Sequence, residues 1–127
     1  MIQVKRIYDS REPHEGTRFL VERLWPRGIR KADIQLDGWL KEVGPSDRLR
    51  KWFSHDPAKW SVFQYKYFAE LDRRPEAWNP ILAAAERGTV TLLYSSRDTE
   101  HNNAVALKSY LEAKLPHRRV HLVRRAT

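Results

Sequence analysis

Residues 89–115 read Thr89-Val-Thr-Leu-Leu-Tyr94-Ser-Ser, then Arg97-Asp-Thr-Glu-His101-Asn-Asn103, then Ala104-Val-Ala-Leu-Lys-Ser-Tyr-Leu111-Glu-Ala-Lys-Leu115. Their reading decides the fold. The first run is β-branched and apolar and reads as a buried strand, 89–95. It turns abruptly into a polar knot. The knot opens a helix, expected from about Thr99 to Leu115, with Ala104, Leu107, Leu111 and Leu115 at helical spacing and Pro116 as its stop. Strand, loop and helix in succession mark an α/β protein, and Arg, Asp, His and two Asn at the junction mark a site.

Working outward, residues 3–8 alternate Val4 and Ile7 with Lys5 and Arg6 and read as a first strand. Residues 9–16 read as a loop. Residues 17–24 read as a second strand, whose continuous apolar centre Phe19-Leu20-Val21 suggests burial on both faces. The connection between these strands falls short of the dozen or more residues of a usual parallel crossover. They should therefore be antiparallel neighbours or not neighbours at all. Trp25-Pro26-Arg27-Gly28 ends the second strand: Pro26 removes a donor, and Gly28 permits positive φ.

A helical middle follows. Residues 36–43 read as a short helix around Trp39 and Leu40. Ser46 can cap a second, carrying Leu49, Trp52 and Phe53. Asp56-Pro57 starts a third, with Trp60, Phe63, Tyr67, Phe68 and Leu71 on its apolar face. Asn79-Pro80 repeats that start signal for a helix over 81–87 that Gly88 ends. Residues 119–123 read as a last short strand. The expected architecture is a single three-layer α/β domain over residues 1–116, with a small, mainly parallel sheet and helices on both faces. Residues 117–127 form a basic C-terminal segment.

Two polar motifs each follow a core strand. If the strands are parallel, both motifs meet at the carboxyl edge of the sheet, where open α/β sheets bind ligands. Arg27, Arg97 and Arg23 can hold phosphate or carboxylate, with Gly28 shaping the turn. The N–H groups opening the last helix attract an anion. His101 can transfer a proton and Asp98 can orient it. Asn102 and Asn103 can read the polar remainder of a ligand.

Blander readings stand beside each role. Asp98 or Thr99 can simply cap the helix, His101 can be an exposed first-turn histidine, and Arg27 can pair with Glu22. Ser95 and Ser96 are near His101 in sequence, which without geometry makes no nucleophile and base. Trp39, Trp52, Trp60 and Trp78 fall on apolar helical faces, which favours core packing over base stacking. His117 and His121 have a helical metal-ligand spacing, but Pro116 opposes a helix there, so no metal site is expected.

With 127 residues, 41% hydrophobic and 31% charged, the chain suits one globular domain. It has no run of about 18 apolar residues, so no membrane span is expected. The first residues begin directly as a strand and show no signal peptide. Zero cysteines exclude disulfides and thiolate chemistry. The expected location is the cytoplasm. Walker, G-x-G-x-x-G, G-x-S-x-G and H-E-x-x-H motifs are absent, and no cofactor is expected. The net charge of +8 favours anionic partners. These are an anionic small molecule or nucleotide at the sheet edge or, as the alternative, nucleic acid on a basic surface and tail. A protein-interaction role without chemistry is a third reading.

Several blocks agree, in order and spacing, with one family. Val21-Glu-Arg-Leu-Trp-Pro-Arg-Gly28, Trp39-Leu-Lys-Glu-Val-Gly-Pro-Ser46, Leu49-Arg-Lys-Trp-Phe53 and Thr91-Leu-Leu-Tyr-Ser-Ser-Arg-Asp-Thr-Glu-His-Asn-Asn-Ala104 resemble the YeaO-like family of bacterial and archaeal proteins, a domain of unknown function. Glu22 and Arg97 stand where the family pattern has Asp and Lys, with charge kept. The segment after Pro116 is outside the pattern. The resemblance implies a small cytoplasmic α/β domain and supplies no activity.

Overall fold

A computed structural model describes residues 1–115. Four strands, β1 (Ile2–Arg6), β2 (Thr17–Leu20), β3 (Gly38–Trp39) and β4 (Val90–Tyr94), form one sheet in the order β1-β4-β2-β3. Every pairing is parallel, with Val4 opposite Leu92 and Phe19 opposite both Leu92 and Gly38. The run that decides the fold is thus the sheet's centre. All five residues of β4 are buried, which is why it reads as continuously apolar rather than alternating.

β1 and β2 are not neighbours; they flank β4 on either side. Residues 7–16 pass over β4 without a helix. Gly16 makes the closest approach, at φ 65°, where a Cβ would lie 2.1 Å from the Thr89 carbonyl oxygen. That carbonyl accepts the Thr17 N–H at 3.0 Å, so the turn is held directly against the start of β4.

Alternation then sorts side chains to two faces. Phe19, Val21, Val90, Leu92 and Tyr94 join a core with α1 (Asp47–Phe53), α2 (Trp60–Asp72), α3 (Pro75–Arg87) and α4 (Asn103–Glu112). On the opposite face Leu20, Leu93 and Ile7 pack under Trp25, Ile29, Ile34, Leu36 and Trp39. The helical part of that second cover is a single 3-10 turn, Lys31–Asp33. The result is one small mixed α/β domain with an all-parallel sheet. No described helix is long and apolar enough to cross a membrane.

Several boundaries differ from the sequence reading. Residues 36–43 are not a helix: Gly38 and Trp39 form β3, and Lys41–Val43 is a 3-10 turn. Asp56 caps a 3-10 turn, Pro57–Lys59, that leads into α2. Pro80 does not start a helix; it lies inside α3, which begins at Pro75. Glu76, whose carbonyl Pro80 leaves without its helical donor, is exposed, so water can reach it. α4 starts at Asn103, four residues later than expected, because the polar knot folds as a turn of its own. The strand expected at 119–123 lies outside the described residues.

Candidate functional site

The chain leaves the carboxyl ends of β2 and β4 toward opposite faces. After β2 it covers the face carrying Leu20 and Leu93; after β4 it enters α4 on the other face. The crevice between such strands is where open parallel sheets hold ligands. A cleft of about 570 Å³ opens there. Trp25, Pro26 and Arg27 line it from one side, and Ser95, Ser96, Asn102 and Asn103 from the other. The two polar motifs therefore converge. A third wall comes from the end of α1 and the turn beyond it, with Arg50, Lys51, Phe53, Ser54 and His55.

Glu22 forms part of the lining and is fixed by one residue. Ser95 donates to it twice, from Oγ at 2.8 Å and from its backbone N–H at 3.0 Å. Burial pushes the Glu22 carboxyl above its ordinary range, against the pull of the two Ser95 hydrogen bonds. Arg6 anchors the same loop, donating to the Ser96 carbonyl at 2.9 Å and the Ser95 carbonyl at 3.2 Å. Tyr8, over which the Arg6 guanidinium sits at 4.8 Å, donates to the Arg27 carbonyl at 2.9 Å. The Trp25–Gly28 turn and the loop after β4 are thus tied together through the end of β1.

Asn102 and Asn103 have structural partners. Asn102 is the N-cap of α4: its Oδ1 accepts the Val105 N–H at 3.0 Å and its Nδ2 donates to the Asp98 carbonyl at 2.9 Å. Asn103 donates to the Val21 carbonyl at 2.6 Å, which joins α4 to the end of β2. Asp98 folds the knot. Its Oδ1 accepts the N–H groups of Glu100 at 2.9 Å and His101 at 3.0 Å. Those contacts, with the His101 ring, hold the Asp98 carboxyl below its usual range, the Glu100 N–H contributing most. The helix cap is therefore Asn102, not Asp98 or Thr99. The N–H groups of Glu100, His101 and Val105 already have acceptors from the protein.

The expected site residues divide. Arg23, Arg27, Asn102 and Asn103 line the cleft; Gly28, Arg97, Asp98 and His101 do not. Asp98 Oδ2 lies 2.9 Å from His101 Nδ1. The ring packs edge-on against Trp60, centroids 5.3 Å apart. Arg97 is exposed. Gly28 has φ 76°, as the turn requires. Arg23 is committed to the Pro45 carbonyl at 2.7 Å and to Glu42 at 3.5 Å. Arg27 does not pair with Glu22. The sequence reading places Glu22 at the strand end only as a pairing partner for Arg27, and it missed the whole third wall. Residues 49–53 had been read only for their apolar face. Ser54 and His55 both adopt left-handed backbone, φ 47° and 57°, where no glycine signals it. Among the described residues no group of three or more His, Asp or Glu could hold a metal ion, and His117 and His121 lie outside them.

The sequence profile of DUF488-N3i, described as the inactive DUF488-N3 subclade, matches residues 1–124. The chain belongs to this family. It is 42% identical over 112 residues to the uncharacterised protein YeaO of Escherichia coli K12, covering 88% of this chain and 97% of YeaO. It is 34% identical over 113 residues to the uncharacterised protein Rv3073c of Mycobacterium tuberculosis H37Rv, covering 89% of this chain and 95% of that relative. The YeaO-like resemblance of the sequence blocks is therefore a family membership. No solved structure gives a significant match.

In this DUF488-N3i chain the rim of the cleft is cationic. The side chains of Arg27 and Lys51 make no hydrogen bond or ion pair with another described residue. Arg50 touches Asp47 only at 3.4 Å, and its buried Nε has no partner. Phe53 and Phe63 supply apolar wall, and Glu22 is the acceptor within. Such a cleft can hold an anion at its rim and order the remainder of the ligand inside.

Proposed function

We propose that the cleft binds an anionic, phosphate-bearing small molecule or nucleotide in the cytoplasm. One observation carries the reading: Arg27 and Lys51, without partners among the described residues, stand at the mouth of a ligand-sized crevice at the carboxyl edge of a parallel sheet. Arg27, Lys51 and Arg50 hold the anion. Arg23, Asn102 and Asn103 shape the wall through their own hydrogen bonds. His101 and Asp98 stand outside the lining, and the reading gives them the turn that presents α4. The family's description as inactive agrees with binding rather than turnover.

A thermal-shift panel of inorganic phosphate, pyrophosphate and nucleotides tests this on the full chain. At least one phosphate compound should raise the melting temperature, and Arg27→Ala with Lys51→Ala should abolish the rise. A rise that survives both substitutions sinks the site. Loss in Arg97→Ala as well would bring that arginine into the binding surface. Salt-sensitive binding of DNA or RNA, lost on removing residues 117–127, would favour the nucleic-acid alternative.

A further inference from the structure

Glu22 is unusual among the partly buried carboxylates near the sheet. Glu15, which is buried, lies between Lys5 and Arg18. Among the described residues Glu22 has no lysine or arginine within ion-pair distance; its oxygens accept hydrogen bonds from Ser95, and His55, also in the lining, acts on it through charge without a hydrogen bond. An ionised carboxylate offers about four lone-pair positions, and Ser95 occupies two. The carboxylate nevertheless lines the same cleft as Arg27, Arg50 and Lys51. A bare anion gains from the cations and is repelled by Glu22. Only a ligand that brings hydrogen-bond donors to Glu22 gains from both.

From this we infer that the ligand is bipolar, and that Glu22 is the residue selecting it. One end is a phosphate held by the Arg27–Lys51 rim. The other presents paired N–H or O–H donors to Glu22. An unsaturated or ring-bearing middle lies against Trp25, Phe53 and Phe63. A nucleoside monophosphate has this chemistry, its donors being the vicinal hydroxyls of the pentose or the amino edge of the base. The inference rests on the anion-binding reading above. It adds that Glu22 opposes simple phosphates and favours donor-bearing ones. The cleft, at about 570 Å³, is within the range of small-molecule sites. The raised pKa of Glu22 agrees with a carboxylate short of compensating partners.

The test is calorimetric titration of the full chain, its Glu22→Gln variant and its Arg27→Ala variant. The probes are adenosine 5′-monophosphate, ribose 5-phosphate and phenyl phosphate, which carries a phosphate and a ring but no further donor. The parent should bind adenosine monophosphate about tenfold or more tighter than phenyl phosphate, the scale of a charged hydrogen bond. Glu22→Gln should erase that margin, weakening adenosine monophosphate while leaving phenyl phosphate unchanged or tighter. Ribose 5-phosphate weakened in parallel identifies the hydroxyls as the donors; ribose 5-phosphate unaffected identifies the base edge. Equal binding of adenosine monophosphate and phenyl phosphate by the parent overturns the inference, and so does a shift of both in one direction on Glu22→Gln. In that case Arg27→Ala still weakening every probe leaves the anion site standing. No binding by the parent, or none of it lost in Arg27→Ala, overturns both. If Glu22→Gln fails to fold, equal binding of adenosine monophosphate and phenyl phosphate by the parent still overturns the inference.

Discussion

Glu22 holds a negative charge where burial disfavours it, and that has a cost in stability independent of any ligand. Its carboxyl is raised above the ordinary 4.5 by burial, against the two hydrogen bonds from Ser95 and the charge of His55. A carboxyl raised in the fold stabilises it most below its unfolded value, and this contribution is lost as pH rises through the folded value. At neutral pH the parent therefore bears a penalty that Gln at this position avoids. Gln also keeps an acceptor for the Ser95 N–H and offers its amide to Oγ. Glu22→Gln should melt higher than the parent at pH 7, with the difference closing below about pH 4.5. Parallel melting curves at pH 7 and pH 4 check it, and a variant that melts lower at pH 7 contradicts it. A residue that lowers stability within a cleft fits the trade between stability and function. Glu22 was visible in the sequence as a charge at a strand end. Its partner was not, because Ser95, 73 residues away, follows a strand that only the sheet order brings beside it.

At the scale of elements, α4 depends on a start that the sequence marks ambiguously. Asp98, Thr99, Asn102 and Asn103 are all good caps by type. Geometry selects Asn102 because Asp98 is occupied in turning the knot, where it takes two N–H groups. Asn102→Ala should lose about 1 kcal/mol through the cap alone, measured by urea unfolding. Asn102→Asp, which keeps the cap but not the donor to the Asp98 carbonyl, should lose less. Equal losses would show that capping is not the main term. The strand β4 and the helical face of α4 were readable because long periodic runs outweigh local signals. The errors fell on short elements. Leu36, Trp39, Leu40 and Val43 have helical spacing, yet Leu36 and Trp39 pack on one face of the sheet and Leu40 and Val43 on the other. That is a chain crossing the sheet edge, with two residues adding as β3. Asn79-Pro80 imitates Asp56-Pro57, but α3 is anchored a turn earlier: buried Trp78 donates to the Leu71 carbonyl at 2.9 Å. Arg74, the residue before α3, makes no side-chain cap; Pro75 at the first helical position and Glu76 in the first turn were the start signals, and the sequence reading passed over them for Asn79-Pro80. Pro80→Ala should restore one helical hydrogen bond on an exposed face and stabilise α3, by up to about 1 kcal/mol once the greater freedom of the unfolded chain is counted. An unchanged or lower midpoint in urea would show that Pro80 costs the helix nothing.

The whole molecule needs β1 and β2 on opposite sides of β4, joined by a crossover with no helix to bury. The sequence excluded a parallel neighbour pair for these strands and left two topologies; what locks the observed one is a buried cluster of charge. Glu15 accepts from Lys5 on β1 and from the Glu12 N–H at 2.7 Å, and it faces Arg18 on β2 at 2.9 Å. The Arg18 contact is Coulombic, since its angle falls short of a hydrogen bond. Arg18 also donates to the Gln35 carbonyl at 2.6 Å, and the Glu15 carbonyl accepts from buried Thr91 at 2.7 Å. Glu15 thus binds the crossover to all three neighbouring strands, to β1 and β2 through its carboxylate and to β4 through its backbone carbonyl. Burial acts to raise its pKa, but Lys5, the Glu12 N–H and Arg18 outweigh it and hold the carboxyl below 4.5. A carboxyl depressed in the fold contributes in full above its unfolded value, and the contribution is lost as pH falls through the folded value. Glu15→Gln removes it at every pH and leaves buried Arg18 without a carboxylate and Lys5 with only the exposed Glu12, a loss of about 3 kcal/mol when one partner of a buried pair is removed. Urea unfolding at pH 7 should show that loss. Below pH 4.5 the two proteins should converge as the parent's carboxyl is neutralised, and a gap that stays constant into acid would mean the cluster holds the crossover by shape rather than by charge.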